Sequence, residues 1–161
     1  MTKTFCVDTF KCVALGFFAG IFLLAAVALW CVGSWAAGGV FLALALVYAF
    51  FSARNGARVT IGPKGVSRKF LWFPPQAYTW DQLAEVGVFG TKLFHKKDSA
   101  KVGSLYLYFS DKAMTEDERF QMVLRWPPKQ IYCVFAQPRL EQVQYFWDKK
   151  IASYNAGELK V

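Results

Sequence analysis

The sequence predicts a membrane α-helical hairpin followed by an α+β domain, a strongly bent antiparallel sheet or partly open barrel of about seven strands capped by a C-terminal helix. Three observations carry that prediction. The 42 residues from Cys12 to Ala53 contain no Asp, Glu, Lys, Arg or His. Three glycines and a serine break this apolar run between Val32 and Gly39. Beyond Arg54 the pattern turns to short alternating runs, and near residue 138 it turns again, to helical spacing.

A helix needs about 20 apolar residues to cross the hydrocarbon core of a bilayer. The charge-free stretch therefore fits two crossings, about Cys12 to Val32 and about Trp35 or Ala36 to Ala53. Its first run exceeds the roughly 7–15 residues of a signal-peptide core, so an uncleaved span is expected. Trp30 and Trp35 flank the break, and indole rings favour the membrane interface. The intervening loop carries no positive charge, whereas Lys3 and Lys11 precede the hairpin and Arg54, Arg58 and Lys64 follow it. That bias places both termini and the domain in the cytoplasm of a cell bounded by this plasma membrane. The expected divisions are a cytoplasmic N-terminal segment 1–11, the hairpin 12–54, the domain 57–155 and a tail 156–161. Gly16 and Gly20 form a G-x-x-x-G pair at depths matching Ala49 and Ala45, so these four residues are expected to pack the two helices together. The rival reading of the glycine pair is self-association, which leaves a homo-oligomer open. An ion or proton pathway needs ionisable groups in the spans, and these helices have none.

The domain begins with Arg58–Ile61, a turn at Gly62-Pro63-Lys64-Gly65, and a second strand expected over Val66–Phe73, where Phe70 and Trp72 share one face. Pro74-Pro75 ends it. A short strand follows at Ala77–Trp80, a local turn at Asp81–Leu83, a fourth strand at Ala84–Phe89 and a basic loop from Thr91 to Lys101. Gly103–Phe109 is rich in strand-forming residues. Ser110–Glu118 reads as a polar connection with one helical turn, Phe120–Trp126 as a sixth strand and Gln130–Phe135 as a seventh. Leu140, Val143, Phe146 or Trp147, Ile151 and Tyr154 then recur at helical spacing, predicting one amphipathic helix over 138–154, ended by Asn155-Ala156-Gly157.

Two local patterns carry a resemblance. Val59-Thr60-Ile61-Gly62-Pro63-Lys64-Gly65-Val66 is a strand, a glycine turn and a strand. Tyr78-Thr79-Trp80-Asp81-Gln82-Leu83-Ala84-Glu85-Val86 is similar to a Trp-Asp-x-Ile-x-x-Val pattern, with Leu83 at the Ile position. Over roughly 57–154 the chain resembles the pleckstrin-homology-like domains of small bacterial membrane proteins, such as the YcxB-like group, which often follow a two-helix hairpin. The resemblance implies a fold and no defined chemistry.

The chain's formal charge is +8. Between residues 54 and 101 there are nine basic and three acidic residues, against eight and seven between 102 and 161. Lys64, Arg68, Lys69, Lys92, Lys96 and Lys97 are therefore the candidates for contact with an anionic membrane surface or ligand. The mixed charge beyond residue 101 argues against nucleic acid. Phe70 and Trp72 are the candidates for a partner surface. Four scattered cysteines form neither a disulfide framework nor a metal site, and no phosphate-binding, nucleophile-elbow or zinc-protease motif occurs. His95, the single histidine, reads as a solvated loop residue. Glu116-Asp117-Glu118 reads as a helix start or an exposed turn. The expected function is a non-enzymatic, membrane-anchored interaction module without cofactors, its domain binding a protein segment or the membrane surface. The alternative is an accessory, regulatory or immunity-type subunit engaging another membrane protein through the hairpin.

Overall fold

The computed structural model describes residues 2–92, 102–124 and 130–154. The chain divides into two compact units: one holds Met1–Phe5, Arg58–Lys69 and Pro74–Val161, the other Cys6–Ala57 and Phe70–Phe73.

The second unit is an antiparallel helix pair, α1 (Thr9–Cys31) and α2 (Trp35–Asn55). Asp8 caps α1, its Oδ1 accepting from the Lys11 amide at 3.0 Å. Both helices are long and apolar enough to cross a membrane. Only 6% and 11% of their most apolar stretches is buried within the chain. A core helix of a soluble protein hides such a surface, and these two present it outward. Facing residues recur at spacings of three and four. Near the termini, the Ser52 hydroxyl donates to the Cys12 carbonyl at 2.7 Å. In the middle, Phe22 lies against Phe41 and Tyr48, with ring centroids 6.0 and 5.1 Å apart. At the far end, Gly38 has no room for a side chain: a Cβ there would fall 2.2 Å from Trp30 Nε1. Trp30 and Trp35 stack 6.3 Å apart across the connection.

Of the four packing candidates, Ala45 is buried in this face and Gly16 sits beside Ser52, where a Cβ would meet the hydroxyl at 3.1 Å. Gly20 and Ala49 are exposed, and nothing lies within 4 Å of where a Gly20 side chain would begin. The expected register paired small residues by depth alone. The close contacts instead follow Gly16–Ser52 and Trp30–Gly38, and bulky rings occupy the middle.

The first unit contains eight strands among the described residues, in two four-stranded sheets ordered β1-β2-β3-β4 and β7-β6-β5-β8. In the first sheet, β1 (Lys3–Cys6) precedes the helices and lies beside β2 (Arg58–Gly62). Thr4 and Thr60 join their hydroxyls at 3.0 Å. The expected N-terminal segment did not include this strand, which has no polar–apolar alternation in the sequence to mark it. A two-residue turn links β2 to β3 (Gly65–Lys69), in antiparallel register Gly62 to Gly65. Gly65 has φ +131°, and a Cβ there would fall 2.0 Å from the Tyr78 carbonyl oxygen, so only glycine fits. β4 (Gln76–Tyr78) is the short outer strand. Thr79 and Gln82 then cap each other around a 3₁₀ turn, Trp80–Gln82.

In the second sheet, β5 (Glu85–Lys92) pairs with β6 (Val102–Ser110), β6 with β7 (Ile131–Val134), and β5 also with β8 (Ala152–Tyr154), in parallel. The central strands are buried on both faces: Val86, Val88, Tyr106, Leu107, Tyr108 and Phe109 are each at most 3% exposed. The described strands form two separate sheets and no closed barrel. About seven strands were expected; one of them is a helix, and the expected C-terminal helix is shorter.

Phe120–Leu124 belongs to a helix, α3 (Glu116–Leu124), and not to a strand. Thr115 and Glu118 form a capping box: the Glu118 amide donates to Thr115 Oγ1 and the Thr115 amide to Glu118 Oε2. That start extends through the ambiguous apolar run, whose Met122 is buried. The C-terminal helix is also shorter than predicted. α4 spans Gln137–Gln144, with Leu140 and Val143 buried. Three consecutive aromatics, Tyr145-Phe146-Trp147, then leave the helix, as residues of modest helix propensity do when tertiary contacts compete. Phe146 and Trp147 pack on Trp80 at 5.8 and 6.2 Å. The remainder becomes β8, which covers the edge of β5. The expected stop at Asn155-Ala156-Gly157 lies outside the described residues.

Candidate binding surface

The β2–β3 turn and the outer strand β4 frame a groove of about 610 Å³. Thr60, Val66 and Ser67 form part of its floor, Lys64 stands at the turn, and Ala77, Tyr78 and Gln82 form the β4 side. A volume in the range of roughly 300–1,000 Å³ accommodates a small ligand or a few peptide side chains. Hydroxyl and amide groups at Thr60, Ser67, Thr79 and Gln82 give it directional hydrogen bonding, and Lys64 is the cation among its lining residues. β4 is three residues long and is the last strand of its sheet among the described residues. None of the lining residues except Lys64 belonged to the expected site. A groove made by two turns and an edge has no sequence motif, and its legible trace was the pair of glycines that sharpens the β2–β3 turn.

The basic candidates separate. Lys64 and Lys69 are exposed. Arg68 is 4% exposed and lies over the Tyr132 ring, 5.2 Å from its centroid. It therefore leaves the set of surface charges: alternation along β3 turns Val66 and Arg68 inward together. Lys92 ends β5, and Lys96 and Lys97 lie outside the described residues, as does His95. The aromatic candidates separate too. Phe70 is 7% and Trp72 82% exposed, because Phe70–Phe73 is a turn and not the end of a strand.

The titratable groups of the interior are engaged with one another. On one face of the second sheet the Tyr108 hydroxyl donates to Glu85 Oε1, whose partner oxygen accepts from the Met114 amide at 2.9 Å. Arg119 of α3 sits 3.4 Å from the same carboxylate, donates to the Met114 carbonyl at 2.6 Å and lies 3.3 Å above the Tyr154 ring. Burial, reinforced by the Glu85 carboxylate, pushes the Tyr108 phenol well above its usual range. Burial likewise pushes the Cys133 thiol up to about 11, which makes it a packing residue and a poor nucleophile. At the surface, the Lys112 ammonium holds the Glu118 carboxyl below its usual range. Among the described residues no three His, Cys, Asp or Glu side chains stand together to hold a metal ion.

The motif that carried the resemblance is structural here. Trp80 donates its indole N–H to the Gly62 carbonyl at 2.9 Å, and Leu83 and Val86 are buried. No protein-family model, curated protein or solved structure matches this chain.

Proposed function

We propose that this protein is a non-catalytic interaction module anchored by its helical hairpin, whose cytoplasmic, pleckstrin-homology-like domain binds an extended segment of a partner protein. The groove beside β4 carries the reading. It offers a mixed floor of Val66 between hydroxyl-bearing Thr60 and Ser67, further hydroxyl and amide groups at Thr79 and Gln82, and the last strand of a sheet as one wall, which suits an extended peptide. A phosphate site would converge several cations, and among the described residues of the lining Lys64 is the one lysine or arginine. What supports binding over catalysis is that Glu85 engages both Tyr108 and Arg119 inside the domain. The cytoplasmic placement rests on the charge bias around the hairpin.

Photo-cross-linking of the full chain in native membranes tests the site. A cross-linker replacing the exposed Ala77 should capture one defined segment of one protein. Ser67→Arg, which fills the groove, should remove that adduct. Equal capture from Ala77 and from the exposed Ser153 would remove the groove from the account. Adducts arising only from the outer faces of α1 and α2 would favour an accessory subunit engaged through the hairpin.

A further inference from the structure

Phe70–Phe73 groups with the helix pair, although its neighbours on both sides belong to the domain. Phe70 is the link. It is 7% exposed, and its ring meets Phe50 of α2 edge-on, with centroids 6.5 Å apart. Phe50 stands four residues before Arg54, about one helical turn from the charged end of α2. The turn is therefore attached at the level where the apolar span ends.

The other three residues of the turn point outward. Leu71 and Phe73 are 49% exposed and Trp72 is 82% exposed. Three rings of the turn form one stack: Phe70 on Phe73 at 5.6 Å and Phe73 on Trp72 at 6.0 Å, both pairs 21° from parallel. The Phe73 amide closes the turn on the Phe70 carbonyl at 3.0 Å. Leu71 adopts φ +45°, a conformation that costs a non-glycine residue energy. Glycine would relieve that strain, and leucine adds apolar surface instead. Lys69 precedes the turn and is exposed. Exposed Trp, Phe and Leu beside a lysine, at the end of an apolar span, have the chemistry of the membrane interface, where aromatic rings sit among headgroups.

We propose that Leu71, Trp72 and Phe73 form a wedge inserted at the headgroup–acyl boundary of the leaflet where α2 ends. This rests on the reading that α1 and α2 cross the membrane. The wedge gives the chain a third point of contact with the bilayer, braced on α2 through Phe70, at the junction where β3 leaves for β4.

Spin-label accessibility of the full chain in phosphatidylcholine–phosphatidylglycerol vesicles tests it, with native cysteines replaced and single labels at Trp72→Cys, Val47→Cys and Ser153→Cys. Val47 is half exposed on α2 and reports the span; Ser153 is exposed on β8 and reports water. The Trp72→Cys label should be several-fold less accessible to a water-soluble nickel chelate than the Ser153→Cys label, and readily accessible to oxygen. A Trp72→Cys label as accessible to nickel as the Ser153→Cys label, with a lipid-facing Val47→Cys label, overturns the wedge and leaves the spans intact. A Trp72→Cys label shielded from both reagents also overturns it, in favour of a second copy covering the turn. A water-exposed Val47→Cys label overturns the membrane reading itself. Because cysteine replacement touches the buried Cys133, lipid-brominated vesicles provide a check on the native chain. Bromines near the acyl carbonyls should quench wild-type tryptophan emission more than that of Trp72→Leu, and equal quenching overturns the wedge.

Discussion

Glu85→Ala should destabilise the domain by about 3–5 kcal/mol, the usual cost of removing one partner of a buried ion pair. The change strands three groups at once: the Arg119 guanidinium, 7% exposed at its side chain, the Tyr108 hydroxyl, and the Met114 amide. Total stabilities of natural domains are about 5–15 kcal/mol, so a large part of the margin disappears. Chemical denaturation of the detergent-solubilised full chain, followed by tryptophan fluorescence, measures it through Trp80 and Trp147. The replacement Glu85→Leu, Arg119→Met and Tyr108→Phe, made together, should cost less than Glu85→Ala alone, because it leaves no charge unpaired. An unchanged midpoint for Glu85→Ala would mean that the cluster is solvated.

Phe109→Ala should cost a similar amount, about 3–5 kcal/mol for a fully buried phenylalanine. Phe109 is 0% exposed and pairs in register with Val86 on one side and Ile131 on the other. Its ring also meets Trp80 edge-on at 6.5 Å. The strands on both sides are held by the ladder, so the cavity closes poorly. Tyr145→Ala is the matched control: that ring is 79% exposed, and its removal should change stability by no more than about 0.5 kcal/mol. The same denaturation midpoints decide it. Equal midpoints for the two variants would move the core away from the second sheet.

The helix pair was legible in the sequence because a charge-free run of that length suits two long apolar helices, and the Gly-Ser break is where the chain turns. The strand pairs β2–β3 and β5–β6 were legible for the same kind of reason, through alternation bounded by turn residues. Elsewhere two local preferences competed. Phe120–Leu124 suits strand or helix, and the capping box at Thr115 and Glu118 decides it from five residues away. Ile151–Tyr154 continues a helical spacing, yet it also alternates, and the open edge of β5 selects the strand. Arg68 read as a surface charge because charge is visible in a sequence and the inward face of β3 is not. Trp72 and Phe70 read as one face because a strand was expected. The turn that separates them needs Leu71 in a conformation that leucine seldom adopts. The groove has no trace beyond its glycines, since its walls come together only when β3 and β4 pair.

The central claim is an anchored module with its domain on the cytoplasmic side. Thiol labelling of single-cysteine variants of the full chain in intact cells tests it most directly. The account predicts that a membrane-impermeant maleimide reaches Ser34→Cys, in the connection between α1 and α2, from outside. It should reach Ser153→Cys, on β8, only after the membrane is opened. Labelling of Ser153→Cys in intact cells, with Ser34→Cys protected, would contradict it.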